Sequence, residues 1–318
     1  MRARPARAAR WLAPLFLVGF LTSCENSGVV VVVGNEFDQT SPAVNGTMVA
    51  WEDSRNEEAG NGVDVYARDM TSGTETLIAG GRGDQGQPAV SDQYIVWVDN
   101  GAIRARSRSG GNVISVAGGN NNYDPAVCGS FVVWTVTQNG NTDIYGRDLA
   151  GGQELPIATS PATDAYPDCD GTRVVYMSTG AGTGVNISLV DRTTGATAVL
   201  GILWNEWMPA ISGDRVVWQA WPNQPNCCIQ IKGVDLSTGA LIPVTSGSGN
   251  QLMPDVSESI VVWQDNRDTN PEVWYLDLAG GTEKPVVMDI AQAPQVSGRR
   301  VVWQQQVNGS WDILMKDL

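Results

Sequence analysis

Histidine is absent from all 318 residues. That excludes Ser-His-Asp and Cys-His catalysis and any histidine-ligated zinc or iron centre. Lysine occurs only at Lys232, Lys284 and Lys316, and the formal net charge is −14. Phosphate backbones repel such a surface, so nucleic acid is not an expected partner, and anionic lipid headgroups are disfavoured for the same reason. No Cys-x-x-Cys spacing occurs, which removes the usual zinc cluster. No apolar run approaches the ~20 residues that span a bilayer.

What the N-terminus does carry is Arg2, Arg4, Arg7 and Arg10 ahead of an apolar run from Trp11 to Leu21, the layout of an export signal. The run ends in Leu21-Thr22-Ser23-Cys24, which resembles the lipobox of bacterial lipoproteins. The resemblance implies cleavage before Cys24 and its acylation, leaving residues 1–23 as signal, 24–28 as a lipid-anchored tether and 29–318 as the folded part. An ordinary secretory signal with Cys24 as a spare thiol is the plainer alternative. Loss of the signal leaves 16 basic and 34 acidic residues, a net charge of −18. Such acidity keeps an exported protein soluble; it also suits cationic partners or calcium, although no motif indicates a cofactor.

From Pro42 onward one unit recurs seven times: a polar pair, a proline, a short apolar stretch, a turn, then Val-Val-Trp or a near equivalent. The anchor aromatics are Trp51, Trp97, Trp134, Tyr176, Trp218, Trp263 and Trp303, spaced 46, 37, 42, 42, 45 and 40 residues apart. A period of roughly 40–45 residues is that of a four-stranded propeller blade, so an all-β, seven-bladed β-propeller is expected. The fifth unit shows how: strands at Pro209–Ser212 and Arg215–Gln219, a loop to about Cys228, then strands at Ile229–Leu236 and Ala240–Thr245. The seventh unit stops at its third strand, while Val29–Val33 has no blade of its own. The N-terminal strand is therefore expected to complete the last blade and remove the exposed sheet edge. Cys128 and Cys169 fall in the first strands of consecutive units, as a cross-blade bridge or as two buried apolar side chains. A bond between the adjacent Cys227 and Cys228 would be strained.

The stretches Pro-x-Val-Ser-Gly, Val262-Trp263-Gln264-Asp265, Asp143-Ile144-Tyr145 and Asp148-Leu149 are similar to those of TolB-like β-propellers over nearly all of the mature chain. They are strand and turn positions, so what the resemblance implies is the fold. TolB itself carries an α/β domain before its propeller, for which residues 1–28 leave no room.

In a blade, the loops after strands two and four share one face. Here those are the long and varied ones, at 52–62, 118–124, 158–166, 202–208 and 219–228, and binding is expected there. The polar pairs Asp38-Gln39, Asp84-Gln85, Asn121-Asn122, Thr163-Asp164, Asn205-Glu206 and Asn250-Gln251 precede the prolines and are expected to ring the channel mouth. They read either as a polar or cation-binding rim or, favoured by their repetition, as ties to loop backbone. Trp204, Trp207 and Trp221 with Glu206 in the loops of the fifth unit, and Tyr123 and Tyr166 in those leading to the third and fourth, break the symmetry and are suited to stacking on a sugar or anchoring a peptide. Trp51/Asp53/Arg55 and Trp263/Asp265/Arg267 recur, which suggests a loop brace. The expectation is a monomeric, envelope-anchored module that binds a protein or glycan without catalysis. The alternative is a carbohydrate-active enzyme working through Asp and Glu carboxylates.

Overall fold

The seven-fold unit folds into seven antiparallel four-stranded sheets. The computed structural model describes residues 28–57, 62–180, 184–201, 205–221 and 228–318, and among these there is no α-helix. The first blade comprises Gln39–Asn45, Met48–Asp53, Asp64–Asp69 and Glu75–Ala79. The last takes Ala291–Ser297, Arg300–Val307 and Ser310–Asp317 from the C-terminal end and Val30–Val33 from the N-terminal end. Val30 pairs with Met315, Val31 with Leu314 and Val33 with Ile313, so backbone hydrogen bonds join the two ends of the chain. Ser310 Oγ donates to Asn35 O (2.9 Å), Trp311 N to Asp38 Oδ1 (2.9 Å), and Arg68 to Val32 O.

Alternation along the second strand of each blade builds the layers between blades. The anchor aromatic faces the preceding blade, and the residue before it faces the next: Val302 meets Trp51, Val96 meets Trp134, Val133 meets Tyr176, Val175 meets Trp218, Val217 meets Trp263 and Val262 meets Trp303. The six anchor tryptophans are at most 2% exposed. Truncating one such side chain to alanine costs ~3–5 kcal/mol.

The prolines fall inside the innermost strands. In all seven blades the register slips beside the proline, and the residue before it takes a positive φ between 48° and 53°: Ser41, Gln87, Asp124, Tyr166, Met208, Met253 and Ala293. Positive φ is uncommon for side-chain-bearing residues, so a seven-fold bulge needs compensation. Part of it comes from the neighbouring blade, where the residue after the anchor accepts from the bulge N–H: Glu52 from Gln87 N (2.7 Å), Gln219 from Met253 N (2.6 Å) and Gln304 from Ser41 N (3.0 Å). Val98 cannot accept, and Gln87 takes over, accepting from Asp124 N (2.9 Å).

This bulge corrects one expectation. The fifth blade's first strand runs Asn205–Ser212 and its second Arg215–Trp221, so Trp207 and Trp221 lie on strand ends rather than in loops, as do Tyr123 and Tyr166. Proline lacks an N–H and so reads as the start of a strand, but the bulge lets the ladder continue past it.

Cys128 and Cys169 form a disulfide between the third and fourth blades, with Cα atoms 5.9 Å apart. Cys128 stands three residues after its proline, where other blades also reach across. Ser212 accepts from Glu258 N (3.0 Å), Ser257 from Gly298 N (2.9 Å) and Ser297 from Gly46 N (2.9 Å). Cys228 is a free thiol; Cys227 lies outside the described residues.

Deleting residues 25–34 exposes the last blade's edge and removes the buried Val32 and Val33. At ~2 kcal/mol for each valine, the thermal unfolding midpoint falls by about 10 °C. Circular dichroism melting checks this, and an unchanged midpoint contradicts the closure.

Candidate binding face

The polar pairs form the joints between blades. Their first members accept from the backbone N–H that starts the third strand of the preceding blade: Asp38 from Trp311 N (2.9 Å), Asp84 from Val63 N (3.3 Å), Asn205 from Val185 N (3.4 Å) and Asn250 from Ile229 N (3.0 Å). Their second members are buried: Gln39, Gln85, Asn122, Asp164, Glu206 and Gln251. Gln39 Nε2 donates to Phe37 O, Gln85 Nε2 to Gly83 O, Asn122 Nδ2 to Gly118 O and Gln251 Nε2 to Gly249 O, while Asp164 accepts from Ser160 Oγ. The alternating donors and acceptors thus tie the loops down, with no side chain of the second set open to solvent.

Glu206 departs from the pattern. In the first, sixth and seventh blades the anchor indole donates to the side chain two residues on, Asp53 (3.0 Å), Asp265 (2.8 Å) or Gln305 (3.0 Å). In the fifth blade that place is Ala220, and the acid appears across the ladder from it at Glu206. Burial pushes the Glu206 carboxyl up to about 7, and the Trp218 N–H lies close enough to oppose the rise but outside hydrogen-bond geometry. The side chain lies against Gly201, where an added Cβ would clash with it. Glu206 is therefore packed beneath the surface, beside Gly201.

The repeated Trp-x-Asp-x-Arg element is a brace. Asp53 and Asp265 are fully buried, each gripped by its arginine (Arg55 Nε 2.8 Å, Arg267 Nε 2.8 Å), and those arginines reach on to Glu75 (2.9 Å) and Glu283 (2.7 Å). Arg55 also covers the Tyr66 ring and Arg267 the Trp274 ring. Each carboxylate of the two braces is thus held by an arginine.

Exposed aromatic surface gathers where the fourth to sixth blades meet the channel. Trp221 is 50% exposed, Tyr166 41% and Met253 38%. Trp207 and Trp221 sit diagonally across one ladder with ring centroids 6.1 Å apart and planes tilted by 49°. Tyr166 and Met253 are bulge residues, so their positive φ turns them out of the strand. Tyr166 has its phenol raised by burial and by Asp124 and Tyr123. Tyr123 itself bonds Thr137 Oγ1 (2.9 Å). Trp204 and Cys24 lie outside the described residues.

A carboxylate group that sequence reasoning missed lines the channel. The residue after the proline is alanine in four blades but Asp168 in the fourth and Asp255 in the sixth. Each accepts from an inner-edge N–H of the next blade, Ile211 N (2.8 Å) and Val296 N (2.7 Å). Both are half-buried among the inner strands. Burial lifts Asp168 to about 6 and Asp255 to about 7, the latter helped by the Asp168 charge. Burial likewise lifts Asp124, one blade earlier, to about 6. An acid where neighbouring units carry alanine was the available signal. Among the described residues no group of three or more Cys, Asp or Glu side chains is placed to hold a metal ion.

No family model matches the chain, and no curated protein resembles it in sequence. Solved structures do match. An oligogalacturonate lyase in complex with manganese is 13% identical with a TM-score of 0.68, over 91% of this chain and 93% of that one. The β-propeller domain of the Trilobed protease from Pyrococcus furiosus, described as having an open velcro topology, is 10% identical with a TM-score of 0.69, over 88% and 95%. A putative TolB from Agrobacterium tumefaciens is 16% identical with a TM-score of 0.55, over 77% and 94%. At such identities the likeness is one of fold: the chain is a seven-bladed propeller of the kind shared by TolB, a lyase and a protease.

A carboxyl whose folded pKa exceeds its unfolded value near 3.8 favours the folded state at low pH, and loses that contribution as pH rises through its folded pKa. Asp255→Asn keeps an acceptor for Val296 N without the charge. Its melting midpoint exceeds that of the wild type at pH 8, and the difference shrinks as the pH falls through about 7 and is gone only below the unfolded value near 3.8. Coincident melting curves at pH 8 contradict the assignment.

Proposed function

We propose that the protein is exported, held at a membrane through acylated Cys24, and acts without catalysis as a binding module whose long-loop face receives a protein or glycan of the cell envelope. The observation that carries this reading is the half-exposed Trp221 against the half-buried Trp207, with the exposed bulge residues Tyr166 and Met253 on the inner strands of the two adjoining blades. Such rigid, partly polar apolar surface contributes binding energy at small entropic cost. Elsewhere, most exposed large apolar side chains are scattered along outermost strands, where they need no partner. The Cys128–Cys169 disulfide suits an oxidising compartment. The acid excess argues against nucleic acid. Several acyl chains on one cysteine anchor a protein stably where one does not.

A second reading has its own support. Asp168 and Asp255, titrating near neutral pH, have the acidity general acid–base chemistry uses, and one fold neighbour is an oligogalacturonate lyase. On that reading the protein is a carbohydrate-active enzyme working in its channel.

In-cell crosslinking and pull-down of the tagged, membrane-anchored protein separates the two. A dominant protein or glycan adduct, lost in Trp221→Ala at unchanged melting temperature, supports the binding module. Product release from an oligosaccharide, abolished by Asp255→Asn, supports the enzyme instead. Cys24→Ser moves the protein out of the membrane fraction; if it stays there, the anchor is elsewhere.

A further inference from the structure

The layer between the first and second blades is underfilled. The residue before the anchor is valine in six blades and Ala50 in the first, and its ladder partner is Ala67. The buried cluster there consists of Ala50, Ala67 and Ile95, with no anchor aromatic among its members, in contrast to every other layer. A cavity of about 310 Å³ opens at this seam, at the lower end of the range for small-molecule pockets. It lies at the hairpins between third and fourth strands, Asp69–Gly73 and Ser107–Gly111, and so on the face opposite the long loops.

Its lining has two parts. Met48, Ala67, Ile78 and Ile95 form an apolar floor, and Thr74, Thr76 and Arg106 stand over it with Asp69, Arg108 and the 107–110 hairpin at the rim. Arg106 is paired across its strand with Ile95, which directs both side chains toward the first blade. It is half-buried and has no hydrogen-bond or ion-pair partner among the described residues. That is unusual in a chain with 34 acids and 20 basic residues. Its neighbours are accounted for: Arg108 donates to Ser91 O (2.9 Å) and Asn45 Oδ1 (3.3 Å), and Asp69 accepts from Thr71 N (2.7 Å) and Ser72 N (3.2 Å) within its own turn. A half-buried guanidinium with free donors, two hydroxyls and an apolar floor is complementary to one chemistry.

We propose that the seam between the first and second blades is a binding site for a small carboxylate with a compact apolar body, its carboxylate on Arg106 and its body on Met48, Ala67, Ile78 and Ile95. A planar guanidinium takes a carboxylate through two parallel N–H donors. A neutral isostere keeps the apolar contact and loses the charge-assisted bonds. The site is separate from the long-loop face and does not depend on what binds there.

Isothermal titration of the purified full-length protein with 4-methylbenzoate and with 4-methylbenzamide tests the proposal. The carboxylate binds about tenfold or more tightly than the amide, the worth of one charge-assisted hydrogen bond. Arg106→Gln brings the two affinities together. Thr76→Phe, at an exposed strand position, closes the cavity without entering the core and abolishes both, while Trp221→Ala changes neither. Equal affinities for the two probes, a preference that survives Arg106→Gln, or no saturable binding of 4-methylbenzoate at millimolar concentration each overturns the proposal.

Discussion

The structure depends on one repeated contact, an aromatic side chain from one blade set against the blade before it. Six of these anchors are tryptophans at most 2% exposed, and a valine from the preceding blade faces each of them in the well-filled layers. No blade buries its two faces alone, so stability is a property of the ring. That is why closure matters: unless Val30–Val33 pairs with Ser310–Asp317, the last blade keeps an open edge strand and its joint with the first blade loses the packing of Val32 and Val33. The polar pairs, the acceptors for the bulge N–H groups and the side chains three residues after each proline add directional bonds to this apolar stack. They repeat because each joint poses the same problem.

A ring that is over-determined by repetition leaves its exceptions free. Where the repeats carry alanine, Asp168 and Asp255 bring charge into the channel. Where they carry short or polar bulge residues, Tyr166 and Met253 bring apolar surface to its mouth. Where they carry valine the first blade carries Ala50, and a cavity opens at that seam beside Ala67 and Ile95. None of these exceptions falls on an anchor, so ring stability and local chemistry vary independently.

Much of the architecture was legible because it is periodic: the anchor spacing gave the blade count, and an orphan strand at one end with a missing strand at the other gave the closure. The strand limits were not, since proline marks a strand end in most sheets and here marks a bulge inside one. The disulfide was left open because Cys128 and Cys169 approach only through the relation between two blades. For the candidate face, the tryptophans of the fifth unit were visible as departures from the repeat, yet Glu206 could not be told from a surface acid until Ala220 was seen opposite it. The channel carboxylates were readable in principle, as acids in an alanine column. The cavity was not, because its walls come from segments some 40 residues apart whose small side chains matter only together.

The central claim is that the repeats' regular positions hold the ring while the irregular ones at the channel mouth meet the partner. A photo-crosslinking amino acid placed in living cells at Tyr166, and in a separate strain at the still more exposed outer-strand residue Leu241, tests this most directly. The account predicts a discrete adduct from position 166 and none from 241. Adducts from 241 with none from 166 would place the partner on the outer rim and contradict it.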